Sequence, residues 1–357
     1  MPDTEDLERV RPHSAVNERP WKVGIVGAGM VTSGSHLPVL VNMPDVKVEW
    51  ICDRSLATAR AVARSYKIAN AYADISQCPD VDVVLVAVPV GARQAVVPEV
   101  LSRGWHALCE KPFAKTLAEH EAYLADAARH GVQIGAGLIR RYAKHTLTAR
   151  KFLEHQALGP ILGVSAAEGA SLRRTGKGSG WYMTDPAAGG GIFMEMGSHL
   201  VDQLLFILGA TQVSLRSCSQ NTHLGYDLAT SLVADVDTAF GTTIECGVEF
   251  SVVDDLCNGI FVEFPNYVLK VAFEELSIMS RDGETLCELS RLDGATSVVE
   301  GFCLEWRDFL QQCRTGKPSA VDAATVRNTT ELIEACYARS RGAAVVVSTA
   351  STESALR

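Results

Sequence analysis

A glycine turn with the chemistry of a phosphate-binding site lies near the start of the chain. Gly27 and Gly29 stand in GIVGAGM, where an apolar run meets a segment of helical character. The first glycine permits a tight turn, and the second lets a pyrophosphate approach the amides of a helix N-terminus, beside Met30 and Val31. The third position of the usual glycine pattern is Thr32, so the fingerprint is incomplete. A glycine turn that serves only packing is the alternative.

An acidic residue follows at the distance that a dinucleotide site requires. Asp53 lies 24 residues after Gly29 and ends the next apolar run, where its carboxylate would accept both ribose hydroxyls of NAD. Arg54 beside it would instead bind the 2'-phosphate of NADP. We therefore predict a coenzyme site that favours NAD and leaves NADP open. A helix-capping aspartate is the alternative.

A lysine with a restrained backbone follows a later apolar run. Glu110, Lys111 and Pro112 come directly after the strand-like run 106–109, at the carboxyl edge of a parallel sheet, where open α/β folds bind ligands. Pro112 restrains the backbone on both sides and would fix the direction of Lys111. The pattern indicates a lysine that reaches into a binding crevice. The alternative is a solvated lysine that starts a helix.

A third group combines carboxylates with a histidine. Glu195, His199 and Asp202 have offsets of four and three, which place them on one face of a predicted helix. A carboxylate beside an imidazole orients it and raises its basicity, as a general base near neutral pH requires. The alternatives are a capped helix with a polar stripe and a metal site. Because no H-E-x-x-H is present and the offsets match no ligand set, we predict no metal.

The elements that position these residues alternate between strand and helix in the first part of the chain. Strands are predicted at 22–26, 46–52, 81–88, 106–109 and 132–138, and helices in a segment ending near 42, after Ser55 and at 116–130. The run 81–88 is almost continuously apolar, as expected of a strand buried on both faces of a parallel sheet. The alternation predicts a Rossmann domain with a doubly wound parallel sheet.

The second part of the chain shows a period of two. Apolar residues alternate with polar ones in 244–250 and 269–273, which indicates strands with one buried face. Further strands are predicted at 211–219 and 228–236, and helices at 192–208, 301–313 and 323–340 would cover one side of the sheet. We therefore predict a C-terminal domain with a large, mainly antiparallel, open-faced sheet.

The predicted division of the chain has four parts. A flexible tail occupies 1–20, the dinucleotide-binding domain 21–142, the second domain 143–341 and a C-terminal tail 342–357.

Composition excludes several classes of protein. The chain is 47% hydrophobic and 21% charged, a folded rather than a disordered composition, and its net charge of -9 would repel nucleic acid. No apolar run approaches the length of a membrane span. The ten cysteines form no C-x-x-C pair and fit free thiols in a reducing compartment. We expect a cytoplasmic protein with no nucleic-acid partner and no membrane partner.

In this order, the motifs resemble the Gfo/Idh/MocA family, named for glucose-fructose oxidoreductase, inositol dehydrogenase and a rhizopine-catabolism protein. The resemblance covers about 21–340 and rests on the segments 24–30, 36–38, 84–89, 109–113 and 181–202. It implies an N-terminal dinucleotide-binding domain and a C-terminal sheet domain that often mediates oligomerisation, with substrate bound between them. A homodimer or homotetramer is the corresponding expectation.

The resemblance also implies which residues form the site. Lys111 would lie near the nicotinamide and the substrate hydroxyl, while Glu195 and His199 fall on the acid and the histidine of the family's D-x-G-x-H segment. The implied coenzyme contacts are Gly27, Gly29, Met30, Val31, Asp53, Arg54, Ala87, Pro89, Glu110 and Lys111. The implied substrate contacts are Lys111, Arg140, Tyr142, Trp181, Glu195 and His199.

Four positions qualify these assignments. The family acid is normally aspartate, whereas this chain has Glu195. Relatives commonly carry a histidine near position 93, and Arg93 here predicts an altered contact to the nicotinamide or a phosphate. For Arg140 and Tyr142, a charged surface edge is the alternative to a substrate contact.

The predicted activity is NAD(P)-dependent, reversible oxidation of a secondary alcohol on a sugar or cyclitol. His199 would take the hydroxyl proton, Lys111 as ammonium would stabilise the alkoxide, and Glu195 or Asp202 would hold the imidazole. One alternative is a coenzyme-binding sensor without turnover, because the fold also occurs in a fungal galactose-pathway repressor. The others are an NAD-dependent glycosidase and a reductase of aldehydes or imine-like bonds.

Overall fold

The computed structural model describes residues 19–169, 191–223, 226–272, 275–289, 292 and 294–342. Its strands form two sheets, one of six and one of eight strands, and each sheet has its own buried apolar core. The predicted tails lie almost wholly outside the described residues, and Trp181 lies outside them as well.

The first sheet is the predicted Rossmann sheet. Its strands are β1 (Trp21–Val26), β2 (Val46–Cys52), β3 (Asn70–Tyr72), β4 (Val83–Val86), β5 (His106–Glu110) and β6 (Ile134–Gly137). They pair in parallel in the order β3-β2-β1-β4-β5-β6, the doubly wound order of dinucleotide-binding domains. Strand β4 is buried along its whole length, as its apolar run predicts.

Helices connect these strands. They are α1 (Leu37–Leu40), α2 (Leu56–Ser65), α3 (Arg93–Ser102) and α4 (Leu117–His130). The Ser55 side chain caps α2 by accepting from the Thr58 amide, and the Thr116 side chain caps α4 by accepting from the Glu119 amide. Helix α3 was not predicted, because its apolar residues show almost no helical periodicity.

The second sheet is mainly antiparallel, as predicted. Its strands are β7 (Gly163–Gly169), β8 (Ala210–His223), β9 (Tyr226–Thr238), β10 (Thr243–Ser251), β11 (Gly259–Glu263), β12 (Tyr267–Val271), β13 (Leu276–Ser280) and β14 (Thr285–Glu288). Their order is β14-β13-β12-β11-β7-β10-β9-β8, and among the described pairs only β7 with β10 is parallel. In β10, Ile244 and Cys246 are buried on either side of the exposed Glu245. The strands β7, β11, β13 and β14 were not predicted.

Four further helices complete the described chain: α5 (Lys144–Glu154), α6 (Ser198–Ile207), α7 (Val298–Thr315) and α8 (Arg327–Gly342). Helices α6 and α8 pack on the second sheet, as predicted. The prediction that the helix at 301–313 also covers this sheet is wrong, because Phe302, Trp306 and Phe309 of α7 belong to the core around the first sheet. The chain therefore packs against the first sheet again after the strands of the second sheet.

Two helices begin with a π-helical turn. One turn, Thr32–His36, precedes α1, and the other, Phe193–Gly197, precedes α6. Such turns insert a residue into a helix and are frequent at functional sites. The first follows the glycine turn, and the second contains Glu195. Within the described ranges, no helix is both long enough and apolar enough to span a membrane.

Candidate active site

The glycine turn contains one glycine that the fold needs and one that leaves open space. Gly27 has a φ of +103°, and a Cβ there would lie 2.4 Å from the carbonyl oxygen of Ala87. A Cβ on Gly29 would meet no atom within 4 Å. Thr32, at the third position of the pattern, donates from Oγ1 to the Gly27 carbonyl at 2.7 Å. The turn is tightly packed at Gly27 and has open space beside Gly29. This space fits a pyrophosphate.

Gly29→Ala is expected to separate coenzyme binding from stability. Because the added methyl group meets no protein atom, the free energy of unfolding should change by less than about 0.5 kcal/mol. A pyrophosphate over this position would meet the methyl group, so Kd for NADH should rise about tenfold or more. Fluorescence titration and thermal melting measure the two quantities. Gly34→Ala, which also points into open space, is the control, and an unchanged Kd in Gly29→Ala would contradict the site.

Asp53 is held against the glycine turn. One carboxylate oxygen accepts from the Ala28 amide at 2.8 Å, and the other accepts from the Ser55 amide at 2.8 Å. Each oxygen keeps a lone pair for a further donor, so the two hydroxyls of a ribose fit this carboxylate. Arg54 is exposed at the same strand end. The end of β2 therefore fits NAD.

The other predicted coenzyme contacts follow the ends of β1 and β4. Met30 is 80% exposed, and Val31 is half-buried after the glycine turn. The Ala87 amide donates to the Val26 carbonyl at 2.8 Å and so continues the sheet, while Pro89 begins a short 3-10 turn. Their coenzyme contacts stay predictions.

Glu110 is engaged inside the protein, which argues against the predicted coenzyme contact. It is 6% exposed, and its carboxylate accepts from His36 Nε2 at 2.8 Å and from the Lys111 amide at 3.0 Å. Trp306 Nε1 donates to His36 Nδ1 at 2.9 Å, so Nδ1 is the acceptor and Nε2 carries the proton donated to Glu110. Burial opposes ionisation, but the His36 hydrogen bond and nearby positive charges hold the pKa of Glu110 below its usual value. This chain of bonds connects α7 to the backbone of Lys111.

Arg93, at the position where relatives commonly carry a histidine, is engaged inside the protein. Arg93 is 2% exposed, and its guanidinium donates to the carbonyl oxygens of Glu110, Pro112 and Phe113. Burial lowers the pKa of the guanidinium. These carbonyls flank Lys111, so Arg93 supports the loop from within. A large basic residue just after a buried strand is the signal that was available in the sequence.

Lys111 joins the two halves of the site. Its ammonium Nζ lies 2.8 Å from Glu195 Oε1 and 2.9 Å from the Glu195 carbonyl oxygen. Both side chains are partly exposed. The structure thus brings together two residues that are 84 positions apart in the chain.

The predicted support of His199 by Glu195 or Asp202 is wrong. The Glu195 carboxylate contacts Lys111, and Asp202 is 1% exposed and forms a bidentate ion pair with Arg141 at 2.5 and 2.8 Å. Among the described residues, nothing hydrogen-bonds the enclosed Nδ1 of His199. The π-helical turn before α6 interrupts the regular helix on which the predicted common face depended.

His199 is held in its neutral form. Burial is the largest cause that lowers its pKa well below the usual value, and the positive charges of Lys111 and Arg140 lower it further. A neutral imidazole has a lone pair that can accept a proton, but the basicity of His199 is lowered, whereas the sequence pattern predicts that it is raised. Its ring is partly accessible even though Nδ1 is enclosed.

The helix that carries these residues is anchored at its start by a buried acid. Asp227 accepts from the Phe193 amide and from the Tyr337 hydroxyl, both at 2.7 Å. Burial raises the pKa of Asp227. A Cβ on Gly191 would lie 1.7 Å from its Oδ1, so glycine is required where the helix begins. The sequence analysis did not identify this anchor.

The structure separates the predicted substrate contacts. Arg140 lies on a 3-10 turn after β6 and pairs with Glu168 through bonds of 2.6 and 2.9 Å. Tyr142 is 7% exposed and donates its hydroxyl to Asp308 at 2.7 Å. Burial, followed by the Asp308 charge, raises the pKa of Tyr142. Tyr142 therefore serves packing, and we assign it no substrate role.

A cavity of about 770 Å³ lies between the two sheets' ends, beside Arg140 and Glu168. Its wall includes Leu200 and Gln203 of α6, the helix that carries His199. Its further polar lining comes from Lys144, His145, Asn258, Thr296 and Ser297. This volume is in the range of cavities that bind small molecules. Among the described residues, no group of three or more metal-binding side chains is present.

A buried acid close to Glu110 gives a pH prediction. Both carboxyl oxygens of Glu305 are enclosed, and burial and then the Glu110 charge raise its pKa well above the usual value, against a smaller lowering effect of the Leu138 backbone. An acid whose pKa is raised on folding costs stability as pH rises above its unfolded value near 4.3. Glu305→Gln should therefore gain stability relative to wild type with rising pH, by at most about 1.4 kcal/mol per unit.

Urea unfolding between pH 4 and 8 measures this difference. Glu284→Gln is the matched control, because Glu284 is exposed on the second sheet's edge and should give a constant difference. A Glu305→Gln difference that is equally constant would show that the acid is ionised in the folded protein.

Comparisons with known proteins identify the family of both domains. The family described as "Oxidoreductase family, NAD-binding Rossmann fold" matches residues 21–138, and the C-terminal domain of the same GFO/IDH/MocA family matches 146–260. D-glucoside 3-dehydrogenase of Escherichia coli is 30% identical over 215 residues, which are 59% of each chain. Inositol 2-dehydrogenase of Salmonella paratyphi B is 31% identical over 147 residues, 40% of this chain and 44% of the relative.

Solved structures share the complete fold. Aldose-aldose oxidoreductase from Caulobacter crescentus superposes with a TM-score of 0.75 at 20% identity, over 91% of this chain and 98% of that one. The aligned sequence spans about half to two thirds of the length of the first curated relatives. With both of its domains matched, the chain belongs to the Gfo/Idh/MocA oxidoreductase family, and its first domain is the family's NAD-binding Rossmann domain.

Proposed function

We propose that the protein is an NAD(P)-dependent dehydrogenase that oxidises a secondary alcohol of a sugar or cyclitol. The observation that carries the proposal is the contact between the Lys111 ammonium and Glu195, one helical turn before His199. It brings a cation and a neutral imidazole together at the carboxyl edge of the NAD-binding sheet. The names of the two relatives, a glucoside dehydrogenase and an inositol dehydrogenase, support the substrate class.

His199 and Lys111 have different roles at the substrate hydroxyl. His199 takes the proton, on Nε2 because Nδ1 is enclosed. The Lys111 ammonium stabilises the alkoxide that develops as the proton leaves, and it polarises the ketone in the reverse direction. Glu195 holds the ammonium in position from its other side. When bound, NAD supplies the hydride acceptor.

Asp53 makes NAD the preferred coenzyme. Its carboxylate stands where the ribose hydroxyls would lie, held by the Ala28 and Ser55 amides, and its charge would repel a 2'-phosphate. Arg54 is exposed beside it and provides the counter-charge if NADP is also used.

A panel of sugars, glycosides and cyclitols with NAD and with NADP tests the proposal, by the absorbance of the reduced nicotinamide and by product analysis. We expect net NADH with at least one polyol. Saturable coenzyme binding without NADH or product would indicate a sensor, and product without net NADH would indicate an NAD-dependent glycosidase. Either result would replace the proposed dehydrogenase activity.

A further inference from the structure

We propose that Glu168 makes this site selective for uncharged polyols by neutralising Arg140, so that substrates with a carboxylate on the reacting ring are disfavoured. The inference rests on the proposed function and adds a substrate class to it. A basic residue at position 140 is by itself compatible with acidic sugars as substrates. The ion pair between Arg140 and Glu168 argues against them.

The pair is built from both domains. Arg140 follows β6 at the carboxyl edge of the first sheet, and Glu168 lies next to the end of β7 in the second sheet. The two form a bidentate ion pair with bonds of 2.6 and 2.9 Å. Both side chains line the cavity and are about one quarter exposed, at 23% and 26%. The pair is therefore part of the cavity wall, beside the helix that carries His199.

Pairing changes what Arg140 can recognise. A free guanidinium in a cavity binds carboxylates and phosphates bidentately, because its planar donors match two acceptor oxygens. Here the fork is occupied by Glu168, and the charges cancel. The pair still offers unused N–H donors from Arg140 and unused lone pairs from Glu168. A hydroxyl group both donates and accepts, so neighbouring hydroxyls of a polyol match the pair.

A carboxylate at the same place would meet two unfavourable conditions. It would have to displace Glu168 from Arg140, and it would lie next to the Glu168 charge in a partly enclosed space. Among the described residues, the other ionisable side chains that line the cavity are Lys144 and His145 in the first turn of α5. Lys144 and His145 would contact other parts of a ligand. A separate variant of each residue tests whether an acidic group binds beside it.

The experiment compares kcat/KM for the best neutral hexose or hexoside of the panel with that for the uronic acid of the same configuration. We expect wild type to prefer the neutral compound by about 100-fold. Glu168→Gln keeps the size of the side chain and removes its charge, so the preference should fall at least about tenfold, mainly through a lower KM for the uronic acid. Adding Arg140→Met to Glu168→Gln should abolish that gain, because the freed cation is lost.

Glu263→Gln is the matched control, because Glu263 belongs to an exposed ion pair with Arg281 on the same sheet. It should leave the preference unchanged. Melting temperatures verify that each variant is folded. If Glu168→Gln is unstable, the Arg140→Met single variant gives a second measure, because it should not raise kcat/KM for the uronic acid.

The possible failures are distinguishable. A wild-type preference for the uronic acid that Lys144→Gln abolishes, or an unchanged preference in Glu168→Gln, would overturn the role of Glu168 while the dehydrogenase activity stands. Absence of NADH from every neutral and acidic compound, in wild type and in Glu168→Gln, would overturn the proposed function and this inference with it.

Discussion

Lys111→Ala should lower kcat by about 10³-fold, the loss expected when one preorganised donor to a developing oxyanion is removed. The Kd of the coenzyme should stay within about threefold, because the contacts proposed for Gly29 and Asp53 are to other parts of the dinucleotide. The Glu195 carboxylate loses its ammonium partner but is partly exposed, so the protein should remain folded. Steady-state kinetics on the best substrate and a coenzyme titration measure the two effects.

Lys115→Ala is the control for this variant. Lys115 lies four residues later and is exposed, so its removal should leave kcat and Kd unchanged. A Lys111→Ala enzyme with wild-type kcat would refute the assignment of the ammonium. A large loss of coenzyme affinity instead of kcat would place Lys111 in binding rather than in chemistry.

Arg93→Met should lower the free energy of unfolding by about 3–5 kcal/mol, because each buried carbonyl that loses its donor costs about 1–3 kcal/mol. The carbonyls of Glu110, Pro112 and Phe113 all receive donors from this guanidinium. Methionine fills much of the volume but donates no hydrogen bond. Urea unfolding monitored by tryptophan fluorescence measures the difference.

Arg129→Met is the matched control. Arg129 forms an exposed ion pair with Asp126, three residues earlier on α4, and pairs of this kind contribute less than about 1 kcal/mol. A loss in Arg93→Met as small as in this control would mean that water replaces the guanidinium in the loop. The activity of Arg93→Met is a second readout. Even if the variant folds, loss of the support from Arg93 should displace Lys111 and lower kcat.

Both variants act on the loop after β5, which is supported from two directions. Arg93 holds its carbonyls from α3, and the bonds from Trp306 through His36 to Glu110 hold the amide of Lys111 from α7. The loop is thus fixed by the π-helical turn before α1, by α3 and by α7, which lies almost 200 residues later. Such support is what precise placement of a catalytic ammonium requires.

Local patterns were sufficient for the Rossmann half of the site. The turn at Gly27 and Gly29, the acid at Asp53 and the lysine at 111 each follow a strand within a few residues. Strand, turn and helix are set by nearby residues, and all parallel strands end at the same edge of the sheet. The sequence therefore determined that these residues follow parallel strands of one sheet and lie at the same edge of it.

Tertiary structure decided the partners of the catalytic residues. Glu195 contacts Lys111 instead of His199, and Asp202 pairs with Arg141, because ion pairs form between opposite charges that the fold brings close in space, whatever their separation in the sequence. Helical spacing alone predicts a common face, and a π-helical turn interrupts it.

The packing of distant segments could not be predicted from the sequence either. Helix α7 has an amphipathic pattern that would suit either sheet, and only the assembled core shows that Phe302 and Trp306 fill the first one. The ion pair of Arg140 with Glu168 likewise joins the turn after β6 of the first sheet to β7 of the second. Residue types and spacing thus determined the fold class, while contacts between remote segments decided which charges are paired and which groups stay neutral, because these depend on distances that no local pattern encodes.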